Sequence, residues 1–193
     1  AEQGLLPLIL AFCVTAALGP VFIPWLTRLK FGQEIRDEGP SWHKKKSGTP
    51  TMGGIMFIVG IIAAVAAVYA MSVFAGNSGV EIGKALLMLA IATGFGAIGF
   101  IDDYIKVVKK RNLGLTALQK FVMQMALAII YLIILNFMGE LKCTIMIPFT
   151  KYSFTPPIWL YVPFLLFVVT GTVNAVNLTD GLDGLASSVT VVV

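Results

Sequence analysis

Three polar stretches interrupt an otherwise apolar chain, and each carries residue types that can do chemistry. NAVNLTDGLDGLA (174–186) sets Asn174, Asn177, Asp180 and Asp183 directly after a run of apolar residues that begins IWLYVPFLLFVV. FIDDYIKVVKK (100–110) places Asp102 beside Asp103, with Lys106 one helical turn further on. GPSWHKKKSGTPTMGG (39–54) gathers Lys44, Lys45 and Lys46, the hydroxyls of Ser47, Thr49 and Thr51, and several glycines. Adjacent carboxylates at a low-dielectric boundary are costly unless a cation balances them. A divalent ion could do so, and so could Lys106, which at i+3 and i+4 shares a helical face with both acids. Cations, hydroxyls and glycine N–H groups near a helix start favour anions. Two amides and two carboxylates close together suit a polar ligand, a metal or both, although they do not fit an EF-hand loop. Carboxylates for a hard cation, together with lysines and glycine N–H groups, form the donor set of magnesium-assisted phosphoryl transfer.

Each stretch also has a plainer reading. Lysines mark the cytoplasmic side of a membrane protein, aspartates can mark where a span meets water, and Asp-Gly is a turn dipeptide. The chemical reading gains weight only if all three stretches lie on one side of the same bilayer.

The elements that must position them are membrane helices. The 193 residues are 58% hydrophobic and 12% charged, with a mean hydropathy of +0.89. A soluble domain is about 45–50% apolar and about 25% charged. A helix crosses the hydrocarbon with about 20 mostly apolar residues. Uncharged runs of suitable length occur at Gly4–Leu26, Gly53–Phe74, Ala85–Ile101, Phe121–Gly139 and Pro156–Val173. The third is the shortest and can extend past the aspartates that follow it. A sixth run, Leu185–Val193, is too short to cross. The expected fold is therefore an all-α, polytopic integral membrane bundle of five full spans and the start of a sixth, forming a single membrane domain over 1–193.

Charge placement orients it. Of the 14 Lys and Arg residues, six lie between spans one and two and five between spans three and four, leaving Lys84, Lys142 and Lys151 for the other side. The positive-inside rule then puts the N-terminus outside and all three polar stretches at the cytoplasmic face. Trp159 and Tyr161 suit the outer interface and Trp25 the inner. Cys13 within a span and Cys143 in an outer loop lie at different depths, which argues against a disulfide. The net charge of +4 follows from topology, and no folded basic domain is left to bind nucleic acid.

Two motif matches are discarded. Gly94-Phe-Gly96-Ala-Ile-Gly99 has the GxGxxG pattern but sits inside an apolar span with no strand before it, so small-residue helix packing explains it better. SGVEIGKA, around Gly83 and Lys84, lacks both the first glycine at P-loop spacing and the following Ser or Thr.

SGTPTMGG (47–54), DDYIK (102–106) and NAVNLTDGLDGLA (174–186) closely resemble the motifs of the polyprenyl-phosphate N-acetylhexosamine-1-phosphate transferase superfamily, glycosyltransferase family 4. TPTMGG is similar to its phospho-N-acetylmuramoyl-pentapeptide branch, and the resemblance runs through essentially the whole chain. It implies transfer of phospho-MurNAc-pentapeptide from UDP-MurNAc-pentapeptide to undecaprenyl phosphate in the bacterial inner membrane. UMP is released, and the product is the first lipid intermediate of peptidoglycan. It implies dependence on Mg2+. By the same resemblance, Asp102 and Asp103 match an aspartate pair that serves either the lipid phosphate or the metal-diphosphate region. Asp180 joins them as a catalytic candidate. Lys46, Thr51, Lys106, Lys120, Asn174, Asn177, Gly181, Leu182 and Asp183 are the substrate-binding candidates. A homodimer is compatible with such a bundle.

Members of this family are nearly twice as long, with ten spans, a further magnesium-binding aspartate and a histidine-rich loop. Here His43 is the sole histidine and the sequence stops within LASSVTVVV. The chain thus reads as the N-terminal portion of a longer enzyme, inactive alone. A UDP-GlcNAc:polyprenyl-phosphate transferase is the nearest alternative, and TPTMGG argues against it. A transporter or channel with an acidic ion site would place acids near mid-membrane rather than at one face.

Overall fold

The computed structural model describes residues 2–28, 52–74, 76, 82–109, 113–180 and 185–192. Hydrocarbon offers backbone N–H and C=O groups no water, so an apolar run within it satisfies them internally as a helix. Among the described residues, five helices are long and apolar enough to cross a membrane: α1 (Glu2–Arg28), α2 (Gly54–Phe74), α3 (Ile82–Val108), α4 (Ala117–Phe137) and α5 (Ile158–Thr179). A short α6 (Leu185–Val192) follows. The chain is a multi-pass membrane protein. Its helices match the five uncharged runs, with two differences that matter for the site. Helix α3 continues through both aspartates to Val108, and α4 begins ahead of its uncharged run, which brings Lys120 into its first turn.

The connection between α4 and α5 adds something the all-α expectation lacked. Strands β1 (Ile145–Met146) and β2 (Ser153–Phe154) pair antiparallel, Ile145 opposite Phe154 and Met146 opposite Ser153. The turn is closed by the Ile147 N–H donating to the Tyr152 carbonyl at 3.1 Å and the Thr150 hydroxyl donating to the Ile147 carbonyl at 2.9 Å.

The chain divides into two compact units, Ala1–Lys120 and Phe121–Val193. In the first, α1 and α2 pack with almost no space between them at Gly60. A Cβ there would collide with the Thr15 hydroxyl and the Ala11 carbonyl. Small residues that let backbones approach are the usual means of joining helices in lipid, where apolar burial offers no gain. Helix α3 meets α2 at Gly96, where an added Cβ would strike the Ile58 side chain, whereas Gly99 has open space. The glycine motif thus serves helix packing through Gly96.

In the second unit, Gln124, Ala128 and Leu132 are buried at i, i+4 and i+8, one stripe along α4. On α5, Thr170 is buried and its hydroxyl donates to the Leu166 carbonyl at 2.7 Å. Outside such contacts the large apolar side chains face outward, among them Phe12, Phe57, Met88, Phe137 and Phe167. Lipid is as apolar as these side chains, so they need no protein core.

Candidate functional site

The end of α3 and the start of α4 enclose one carboxylate. Asp102 is 4% exposed, which few aspartates are unless paired. Its Oδ2 lies 2.8 Å from the Lys106 ammonium and 2.8 Å from the Lys120 ammonium. Its Oδ1 accepts the Leu115 N–H at 2.8 Å. Both oxygens are therefore occupied, one by two cations and one by the backbone.

Asp103 is in a different position. It is about a third exposed and meets Lys106 through Oδ1 at 2.9 Å. Its Oδ2 lies outside that bridge. Adjacent in sequence, the two acids point 100° apart around the helix. Asp102 is thus enclosed and saturated, while Asp103 stays at the edge. Of the two balancing cations that the sequence leaves open, a divalent ion or Lys106, the lysine is bonded to both acids at i+3 and i+4. Two negative and two positive charges offset one another in the cluster, which is what a boundary of low dielectric demands.

Local structure aims Lys120. Thr116 and Gln119 form a capping box at the start of α4. The Thr116 Oγ1 accepts the Gln119 N–H at 3.2 Å, and the Gln119 Oε1 accepts the Thr116 N–H at 2.9 Å. The pattern is visible as Thr-x-x-Gln in TALQ, and it defines where the helix starts. Lys120 follows within the first turn, its side chain 22% exposed against 34% for that of Lys106. The two lysines form a fork around one carboxylate oxygen, each still partly open to solvent.

The second unit holds Asn174, Asn177 and Asp180. Asn174 Nδ2 donates to Gln124 Oε1 at 2.7 Å and to the Thr170 carbonyl at 2.8 Å. Its amide therefore ties α5 to α4. Asn177 is exposed, and so is Asp180, which ends α5 with its backbone N–H on the Val176 carbonyl at 3.1 Å. Lys46, Thr51, Gly181, Leu182 and Asp183 lie outside the described residues. Just after Thr51, Met52 is buried at a left-handed φ of 69° and its carbonyl accepts the Ile55 N–H at 3.2 Å, opening the turn into α2.

Among the described residues, no three His, Cys, Asp or Glu side chains come together as metal ligands. The donor chemistry separates the two acids as candidates. Asp102 has both oxygens taken by N–H donors, two of them cationic, and would place a metal against two ammoniums. Asp103 retains an oxygen outside its lysine bridge and fits as one carboxylate of a magnesium site, which takes one or two. Residue-level reading missed Leu115, Gly114 and Gln124. Only Gln124, a lone amide in an apolar span, offers a sequence signal.

A helical bundle that brings two lysines and two aspartates together at a span's end defines a multi-pass membrane protein with a charged site at one helix terminus. The chain belongs to glycosyl transferase family 4, whose profile matches residues 85–193, just over half of it. Residues 46–58 match signature 1 of phospho-N-acetylmuramoyl-pentapeptide-transferase. Proteins of that name are similar along nearly the whole chain. The one from Halalkalibacterium halodurans is 49% identical over 184 residues, 95% of this chain and 54% of its own length. That from Bacillus mycoides is 51% identical over 188 residues, 96% of this chain and 55% of its own length. That from Listeria monocytogenes is 50% identical over 183 residues, 94% and 54% of the two. The chain spans about half the length of these relatives. Every candidate site residue falls inside one of the two matched segments.

Proposed function

We propose that this chain is part of a phospho-N-acetylmuramoyl-pentapeptide transferase of the bacterial cytoplasmic membrane. It would move phospho-MurNAc-pentapeptide from UDP to undecaprenyl phosphate, with the polar stretches at the cytoplasmic face and the N-terminus outside. The observation that carries this reading is the fork of Lys106 and Lys120 on Asp102 beside the less enclosed Asp103.

In the reaction, an oxygen of the lipid phosphate forms a bond to the phosphorus that bears the sugar. The bond from that phosphorus to the oxygen bridging to UMP breaks, and UMP leaves. Lys106 and Lys120 would spread the charge gathering on the phosphoryl oxygens, held together by an enclosed carboxylate and still open to a substrate. Asp102 holds the two ammoniums together before the substrates arrive, so no reorganisation is needed as charge develops. Magnesium, when bound, would screen the diphosphate charge, and Asp103 is the described residue suited to hold it. In the second unit, the exposed Asn177 and Asp180 are candidates for contacts with the nucleotide diphosphate, and Asn174 acts by fixing α5 to α4.

The test is UMP release by the complete transferase from UDP-MurNAc-pentapeptide, with undecaprenyl phosphate and magnesium in detergent. Release that requires both the lipid phosphate and Lys106 is the expected result. Release indifferent to the lipid phosphate would refute transfer as the activity.

A further inference from the structure

The backbone between α3 and α4 closes on Asp102 more tightly than a side chain would allow. A Cβ built on Gly114 would run into the Asp102 carboxylate, at both Oδ1 and Cγ, and into the Asp102 carbonyl oxygen. Backbone and a carboxylate clamped by three donors cannot give way as the end of a flexible side chain can. Position 114 therefore has room for hydrogen alone. The next residue, Leu115, then delivers its N–H to Asp102 Oδ1 at 2.8 Å. The capping box at Thr116 and Gln119 follows at once and starts the helix that carries Lys120.

We infer that Gly114 is a positioning residue for the lysine fork. Its missing side chain lets the 113–116 elbow seat Leu115 on one carboxylate oxygen, which turns the other toward Lys106 and Lys120. The inference rests on the proposed reading of that fork as a holder of phosphate oxygens, whether these come from the lipid or from the nucleotide. Ammoniums carry three donors each. Lys106 places one on each aspartate, and Lys120 places one on Asp102. Among the described residues the third donor of Lys106 and two of Lys120 take no further carboxylate and are left for a phosphate, provided Asp102 keeps both nitrogens where they are.

The experiment uses the complete transferase in membranes and two readouts. One is site-resolved acylation of Lys106 and Lys120 by a small amine-reactive ester, followed by mass spectrometry. The other is UMP release. In Gly114→Ala, acylation of both lysines should rise roughly threefold or more, because an ammonium held against carboxylates is shielded from the reagent. Turnover should fall at least about tenfold, the loss expected when charge-stabilising groups are misplaced. Gly99→Ala, whose Cβ meets open space on α3, the helix of Asp102, should change neither.

Unchanged acylation in Gly114→Ala would overturn the inference. Released lysines with full turnover would uphold the hold of Gly114 on the fork and sink the phosphate reading instead. Should Gly114→Ala fail to accumulate, the comparison moves to an Asp102→Ala background, which removes the clash with the carboxylate, leaves only that with the backbone carbonyl of residue 102, and has already released both lysines. There Gly114→Ala should add nothing to the acylation of either lysine. A further rise in that background would mean that Gly114 acts by another route, and the inference would fall.

Discussion

Lys120, in the first turn of α4, places its ammonium 2.8 Å from the Oδ2 of Asp102 near the end of α3. No local pattern links these two residues, since they belong to different helices. The contact exists because Leu115 docks on Asp102 and the capping box starts α4 at the right residue. It also makes the two aspartates unequal, because Lys120 meets Asp102 and not Asp103.

Replacing either lysine removes a cation without enlarging the site. Lys106→Met and Lys120→Met in the complete transferase should each lower kcat on the order of 10²-fold, with smaller changes in KM for the nucleotide substrate. Steady-state UMP release measures both. Loss confined to KM would assign the lysines to ground-state binding.

Asp102→Asn and Asp103→Asn should both lower turnover on the order of 10²-fold, as should Asp180→Asn. The metal dependence should separate the first two. Asp103→Asn should raise the magnesium concentration for half-maximal turnover by about tenfold or more, and Asp102→Asn should leave it in place. A magnesium titration of each variant decides this, and equal shifts would mean that Asp102 contacts the metal.

The bond between Asn174 and Gln124 predicts a stability effect rather than a chemical one. Gln124 is 5% exposed and its Oε1 accepts from Asn174 at 2.7 Å. Interhelical hydrogen bonds in membrane proteins couple by about 0.6 kcal/mol, with a maximum near 1.7. A double-mutant cycle of Gln124→Leu and Asn174→Leu, followed by unfolding in detergent, should return a coupling in that range. Zero coupling with a large loss of nucleotide affinity would make Asn174 a ligand contact instead.

Topology is open to chemical labelling. A cysteine placed at Lys45 or Lys110 should be shielded from a membrane-impermeant thiol reagent in intact cells, and Cys143 should react. The opposite pattern would put the lysine-rich loops outside and separate them from cytosolic nucleotide sugars.

Much of this protein was legible in the order of its residues. Five apolar runs foretold five helices, because transfer into hydrocarbon is a sum over nearby residues and needs no partner. Lys106 as the cation beside Asp102 and Asp103 was legible too, since i+3 and i+4 neighbours meet on any helix. The short hairpin at Ile145–Phe154 was not, because a pairing of two residues per strand leaves too little alternation to read.

The order of residues alone therefore determined the membrane class, the helices, the family motifs and Lys106 as a candidate partner for both acids. Tertiary structure decided the rest. It enclosed Asp102 and left Asp103 at the edge, joined Lys120 to the cluster, and gave the Asn174 amide to Gln124. It also left position 114 without room for a side chain. The physical reason is the range of the interactions. Helix formation in lipid and i, i+4 pairing are settled within a few residues along the chain. The Leu115 N–H on Asp102 Oδ1 and the Lys120 ammonium on Oδ2 come from 13 and 18 residues further along the chain, and only tertiary folding brings them to Asp102.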